Sequence, residues 1–229
     1  MVVMKPLPTT VDCVLFDLDG TLVDTNIDFP LMKRKLIALA AEHGIDADAL
    51  AGLDILAVVE SAAGLLRLQG RRKEAARLTD RAMAVLEEIE VGHARNTQQI
   101  PFARELAAVL KDRGIGIGIV TRNCRKASRI SLGMARIEPD VLVCREDTTR
   151  HKPHPEPLRT ALAALKARAR ASVMVGDHIM DVQGGKAAGM GTVGFLRDNH
   201  PEDFFAAAGP DIVARDLREV LDAIIHRNR

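Results

Sequence analysis

The chain has no tryptophan, no tyrosine and only six phenylalanines among its 229 residues, so it offers few rings on which nucleic-acid bases could stack. It also lacks an excess of either charge. Thirty-two Lys and Arg against 31 Asp and Glu leave a formal net charge of +1, and no general field to hold a polyanion. Nucleic acid is therefore not an expected partner. The three cysteines, Cys13, Cys124 and Cys144, are far apart and odd in number, which argues against a disulfide framework, a CxxC redox pair or a zinc knuckle. Cys13 and Cys144 sit in apolar runs and read as buried thiols, while Cys124 has no paired base that would make it a nucleophile. No apolar run reaches the roughly 18–20 residues needed to span a bilayer. The first ten residues, MVVMKPLPTT, lack the apolar stretch of a secretory signal. A reduced, cytoplasmic setting without a membrane partner is the expectation.

What is present is an ordinary globular composition, 47% hydrophobic and 28% charged, at a length suited to one large domain or a medium one carrying a smaller. The hydrophobic pattern changes twice along it. Val11–Phe16 is a short apolar run ending in Asp17-Leu18-Asp19-Gly20-Thr21, strand chemistry followed by turn chemistry. From Phe29 to Val91 apolar residues recur at helical spacing, with Gly44, Gly70 and Gly92 as punctuation, which predicts about three helices. After Pro101 short apolar runs (Ile115–Val120, Val141–Cys144, Val173–Val175, Thr192–Phe195, Ile212–Val213) alternate with helical stretches, as in a parallel sheet covered on both faces. The expected architecture is α/β: a doubly wound, Rossmann-like parallel sheet built from residues 1–25 and 97–229, with residues 26–96 inserted as an all-helical cap.

In open parallel sheets ligands bind beyond the carboxyl ends of the strands. Applied here, that rule gathers Asp17 and Asp19 after the first strand, Thr121-Arg122-Asn123 after the second, Lys152 past the third, and Asp177 with Asp181 after the fourth. Clustered carboxylates repel one another unless a cation sits among them, and hard oxygen ligands favour Mg²⁺. Thr121 and Lys152 can complete a phosphate cradle by hydroxyl donation and charge. A carboxylate can itself attack phosphorus and split one difficult step into two. Asp24, Asp28, Asp46 and Asp48 read instead as helix caps or solvated turns.

Asp17-Leu18-Asp19-Gly20-Thr21-Leu22-Val23-Asp24 resembles the first motif of the haloacid dehalogenase-like superfamily of phosphohydrolases. Val120-Thr121-Arg122-Asn123 is similar to its second motif, Lys152-Pro153 to its third and Gly176-Asp177-His178-Ile179-Met180-Asp181 to its fourth. The insert's position resembles the helical cap of the phosphoglycolate phosphatase-like branch. The resemblance implies a phosphatase acting on a small phosphorylated metabolite. Asp17 would be the nucleophile and Asp19 the acid and base, with Thr121, Arg122, Asn123 and Lys152 binding phosphate. Mg²⁺ would be held by the Asp17 carboxylate, the Asp19 backbone carbonyl and Asp177, with Asp181 in support. Relatives that cleave carbon–halogen or carbon–phosphorus bonds lack an acid at the position of Asp19, so its presence favours an ester, whose alkoxide leaving group needs a proton.

Two positions depart from the pattern: His178 stands where a small hydroxyl residue is common, and Gly184 where alanine is common. His151, His154 and His178 raise a softer metal as an alternative to Mg²⁺, though loop histidines beside the acidic rim explain them more simply. The Gly114–Gly118 run enters a strand rather than following one, so it reads as local packing and not as a dinucleotide fingerprint. Substrate choice is expected from the insert, with Asn26, Arg67, Arg71, Arg72 and His93 as candidates, an arginine being suited to a substrate carboxylate. A phosphosugar mutase can share all four motifs. A phospho-aspartate receiver shares the acidic pocket, but has no use for Asp19 or a lid. Oligomeric state is left open.

Overall fold

A computed structural model describes residues 7–225, so the first six of the ten residues examined for a signal fall outside the described residues. The chain divides into two compact units. One comprises the described residues through Thr25 together with those from Ala94 onward, the other Asn26–His93.

The chain opens with β1 (Cys13–Phe16) and β2 (Val23–Asp24). The insert then runs through α1 (Phe29–Ala41), a one-turn α2 (Asp48–Ala51), α3 (Ile55–Leu68) and α4 (Arg72–Ala94). The return comprises β3 (Gln98–Gln99), α5 (Ala103–Asp112), β4 (Gly116–Val120), α6 (Arg125–Ala135) and β5 (Val141–Val143). Next come α7 (Glu156–Leu165), β6 (Ser172–Gly176), α8 (Ile179–Ala188), β7 (Gly191–Phe195), β8 (Ile212–Ala214) and α9 (Leu217–Ile225). Six strands form one parallel sheet in the order β5-β4-β1-β6-β7-β8, while β2 and β3 pair antiparallel where the chain leaves and rejoins this unit.

Alternation within the strands explains the two covered faces. Val14 and Phe16 of β1 and Val173 and Val175 of β6 pack with Leu106 and Leu110 of α5 and with Val220 and Ile224 of α9. Cys13, Leu15 and Met174 point the other way, into a cluster with Leu158 and Leu162 of α7. This period of two, with both faces apolar, is why β1 reads as a continuous hydrophobic run. Gly118 belongs to the same packing: a Cβ there would lie 2.5 Å from Leu15 Cδ2, so the bare backbone admits Leu15 and α7 together.

The insert has its own apolar core, with Leu36, Leu50, Val58, Val59, Leu66, Leu78 and Leu86 among its buried members. Asp28 caps α1 by accepting the Leu31 amide at 2.7 Å, and Asp54 caps α3 through the Leu56 amide at 3.0 Å. Asp46 takes the Asp48 amide at 3.0 Å. Gly44 and Gly70, both at φ +78°, follow α1 and α3 in the left-handed conformation that stops a helix. Gly92 corrects the sequence expectation: it lies inside the 23-residue α4 and terminates nothing. Asp24 is no cap either, because it accepts from Arg197 Nη2 at 2.6 Å. Among the described residues no helix is long and apolar enough to cross a membrane.

Two adjacent glycines in α8 face different constraints. A Cβ on Gly184 would meet Leu158 Cδ1 and the Pro153 carbonyl at 3.5 Å, ordinary contact distances, whereas one on Gly185 would lie 2.7 Å from Thr192 Cγ2 and 2.9 Å from Met174 Cβ. Alanine gains about 1 kcal/mol over glycine inside a helix. Gly184→Ala is accordingly expected to raise the melting temperature by about 2–4 °C, and Gly185→Ala to lower it, in thermal unfolding followed by circular dichroism. Equal responses would refute the packing distinction.

Candidate functional site

Strand register assembles the site. Phe16 is level with Ile119 on one side and Val175 on the other, so the residues just past these strand ends, Asp17, Thr121 and Asp177, emerge along one edge of the sheet. The Asp17 amide still donates to the Val175 carbonyl at 2.9 Å, which continues the ladder one residue past β1. Lys152 arrives from the loop before α7. Its ammonium donates to the Val120 carbonyl at 2.8 Å and to Asp17 Oδ1 at 2.7 Å, and pairs with Asp181 Oδ1 at 2.7 Å. The Lys152 and Asp181 side chains are only 3% and 2% exposed, so this is a buried ion pair. Asp181 sits in the first turn of α8, where its other oxygen accepts the His178 amide at 3.1 Å.

Asp17, Asp177 and Asp181 each offer a carboxylate oxygen within 4.8 Å of the others. Asp177 is held by Thr21, whose hydroxyl donates to Asp177 Oδ1 at 3.2 Å and accepts the Asp177 amide at 3.1 Å. Gly20 stands at φ +86° directly against this carboxylate. A Cβ there would lie 2.1 Å from Asp177 Oδ2, so glycine is required twice over, by conformation and by space.

Asp19 has different surroundings from Asp17. Its oxygens accept the Thr25 hydroxyl at 2.6 Å and the Thr25 amide at 3.1 Å. Burial pushes its carboxyl up to about 6, with those two hydrogen bonds opposing. Burial likewise raises Asp177 well above the usual carboxylate range, assisted by Asp17 and Asp181, and pushes Asp181 up to about 6 with Lys152 opposing. Burial works against the Lys152 charge, but Asp17 and Asp181 outweigh it and hold the ammonium above its ordinary value.

Thr121 is buried, and its hydroxyl oxygen accepts the Asn123 amide at 3.1 Å, which closes the loop after β4. Arg122, half-buried, donates from Nη1 to Met180 Sδ at 3.1 Å. The insert candidates have separate settings within their own unit. Asn26, exposed at φ +52°, begins it; Arg67 is exposed in the last turn of α3, and Arg72 is exposed at the start of α4. His93, half-buried, lies near the end of α4. Arg71 is committed internally: it donates to both Glu74 oxygens at 2.9 and 2.6 Å and to the His43 carbonyl at 2.9 Å, and so braces a corner of the helical unit.

Thr21, Thr25 and Arg197 were not anticipated as site residues. Thr21 carried a signal as a hydroxyl residue within the first-motif run, and Thr25 stands just past its end. Arg197 carried only the strand-end rule, standing two residues past β7. The buried Cys13 thiol is raised by desolvation, and burial pushes Cys144 up to about 11, so neither is poised to react.

The donor chemistry fits a hard divalent cation. Asp17 and Asp181 share one lysine while Asp177 lies beside them, and burial raises Asp177 and Asp181, so as anions the three call for positive charge beyond what Lys152 supplies. All the donors are oxygen, and among the described residues the cluster holds no histidine, which matches Mg²⁺ better than a softer metal. His178 and His154 are engaged otherwise, each accepting a backbone amide through Nδ1 at 3.2 Å, from Met180 and Glu156.

Known proteins resemble this chain in sequence and in fold. The chain is 28% identical over 216 residues to the pyrophosphatase PpaX of Halalkalibacterium halodurans, covering 93% of this chain and 97% of that protein. It is 33% identical over 227 residues to the N-acetylmuramic acid 6-phosphate phosphatase of Pseudomonas aeruginosa, covering 92% and 93%. The fold matches that of a phosphonoacetaldehyde hydrolase-like protein from Oleispira antarctica with a TM-score of 0.69 at 19% identity, over all of this chain and 97% of the other. The description "haloacid dehalogenase-like hydrolase" matches residues 14–195, from within β1 to the end of β7, and over that span the chain is a member of the haloacid dehalogenase-like hydrolase family.

Proposed function

We propose that this protein hydrolyses a small phosphomonoester through an aspartyl phosphate on Asp17, with Mg²⁺ as cofactor. One observation carries this: two carboxylates two residues apart have opposite surroundings. Asp17 faces the Lys152 ammonium beside two further carboxylates, whereas Asp19 is tied to Thr25 with its proton affinity raised to about 6. That contrast suits a nucleophile and a proton carrier acting on opposite sides of one phosphorus.

In the first step the Asp17 carboxylate attacks phosphorus. The bond to the leaving oxygen breaks as Asp19 gives that oxygen its proton. In the second step Asp19, now a carboxylate, takes a proton from the water that hydrolyses the acyl phosphate. Lys152, the Thr121 hydroxyl and the Arg122–Asn123 loop receive the phosphoryl oxygens and offset the charge that develops on them. Asp181 keeps Lys152 aimed by holding its ammonium, and Thr21 does the same for Asp177. Asp17, the Asp19 backbone carbonyl and Asp177 would hold Mg²⁺, with Asp181 in support, and the ion would supply positive charge to offset that of the carboxylates and the phosphoryl group. Substrate choice is assigned to the helical insert, with Asn26, Arg67, Arg72 and His93 the residues to vary. A small, phosphorylated metabolite is the expected partner, in a cytoplasmic setting.

The test is a phosphate-release panel of phosphomonoesters, with sugar phosphates and pyrophosphate included because relatives bear those names. Release is expected to require Mg²⁺, to stop with EDTA and to return on adding Mg²⁺. Asp17→Asn is expected to lose at least about a thousandfold in kcat. Undiminished release by that variant would sink the mechanism. Isomerisation of a sugar 1-phosphate without release would favour a mutase, and a lasting phosphoprotein without turnover a receiver. Gly20→Ala is expected to fold but to lose about a hundredfold in kcat, because displacing Asp177 by ångströms spoils the alignment; wild-type kcat with a normal melting curve would disprove the steric requirement.

A further inference from the structure

Arg145 is a buried charge, 6% exposed, in the single 3₁₀ turn (Arg145–Asp147) that follows β5. It has no place in the four motifs. Its position is nonetheless specific. Arg145 Nη1 donates to the Arg122 carbonyl at 3.0 Å, and the Arg145 amide donates to the Asn123 carbonyl at 3.2 Å. Two successive carbonyls of the loop after β4 are thereby drawn to one residue. The same short segment grips the loop on both sides: the Thr121 amide donates to the Val143 carbonyl at 2.9 Å, and the Arg125 amide to Glu146 Oε1 at 3.1 Å.

The consequence follows from peptide geometry. In a trans peptide the C=O and N–H point in opposite directions. Turning the Arg122 carbonyl toward Arg145 turns the Asn123 N–H away from it, and that N–H donates to Thr121 Oγ1 at 3.1 Å. The hydroxyl oxygen then has a lone pair occupied, and its own hydrogen is left to donate to an anion. A cation at the far carbonyl also polarises the peptide, which strengthens each later donor in the chain. Drawing the two carbonyls aside further keeps their negative ends from facing an incoming phosphoryl group.

We propose that Arg145 is a positioning residue for phosphate recognition, acting through the Arg122–Asn123 peptide to orient the Thr121 hydroxyl. The assignment rests on the phosphatase function proposed above. It is tested on the full chain by binding of inorganic phosphate in the presence of Mg²⁺, measured by calorimetry and by competitive inhibition of ester hydrolysis. Arg145→Met is expected to weaken phosphate about tenfold, and Arg145→Lys to recover most of that loss. Thr121→Val supplies the discriminating readout. If Arg145 acts through Thr121, the Thr121→Val/Arg145→Met double variant binds phosphate no more weakly than Thr121→Val alone.

Losses that multiply in the double variant would show a merely structural role and overturn the assignment. Unchanged phosphate affinity in Arg145→Met would overturn it as well. Should Arg145→Met fail to fold, Arg145→Gln keeps one donor without the charge, and is expected to weaken phosphate about threefold with the same non-additivity. Wild-type affinity in that variant counts against the proposal in the same way. A wild-type protein that neither binds phosphate nor hydrolyses any ester overturns the phosphatase function itself, and the role of Arg145 with it.

Discussion

The buried Lys152 ammonium is the contact on which the catalytic unit depends. It joins three pieces of chain that are remote in sequence: the carbonyl at the end of β4, the carboxylate after β1 and the carboxylate in the first turn of α8. A charge this deeply buried is tolerable only with partners at close range, and so are the carboxylates around it. The ion pair therefore works in both directions. It sets a positive charge against Asp17 and Asp181 inside the protein, and it ties the end of β4 to the residue after β1 and to the first turn of α8. The crowding of carboxylates that remains at the edge of this sheet is the ground for proposing a cation and phosphate there.

The apolar strands were legible because each is buried on both faces and reads as an unbroken hydrophobic run between turn residues. The strand-end rule then collected Asp17, Thr121, Lys152, Asp177 and Asp181 without reference to tertiary contacts. Helix α6 was not legible. Its buried face is made of Ala127, Ser128, Ser131, Leu132 and Ala135, mostly small and partly polar residues in place of the large aliphatic ones by which helical stretches are recognised in a sequence. Their hydroxyls are hydrogen-bonded, Ser128 donating to the Cys124 carbonyl at 2.8 Å and Ser131 accepting from the sequence-distant Thr97 hydroxyl at 2.9 Å. The β2–β3 pair escaped for another reason: two residues per strand carry no pattern at all, and only the return of the chain brings them together. Gly92 misled in the opposite sense, since a glycine in an exposed helix interior looks the same in sequence as one that ends a helix.

The supporting residues form a further layer that the motifs mark only in part. Thr21 and Thr25 each make two hydrogen bonds to one aspartate, in different ways: the Thr21 hydroxyl donates to the Asp177 carboxylate and accepts the Asp177 amide, while Thr25 donates to the two Asp19 oxygens from its hydroxyl and its amide. A hydroxyl that both donates and accepts suits this work, because it fixes an acid without adding charge. Arg197 contributes at longer range by pairing with Asp24 and lowering the proton affinity of Asp177. The chemistry of such a site lies as much in the neutral groups that orient the carboxylates as in the carboxylates themselves.

The position of β1 in the sheet has a consequence for how the chain acquires its structure during synthesis. Among the described strands the first in the chain is an interior one, and both of its neighbours are encoded far downstream, β4 from residue 116 and β6 from residue 172. Until then the sticky segment Cys13–Phe16 has no native edge to pair with. The helical insert, encoded immediately after it and equipped with its own apolar core, is the first part of the chain able to collapse. The nascent polypeptide thus carries an unpaired hydrophobic strand tethered to a helical unit with a core of its own, and the ion pairs among Asp17, Lys152 and Asp181 await two residues encoded in the second half of the chain.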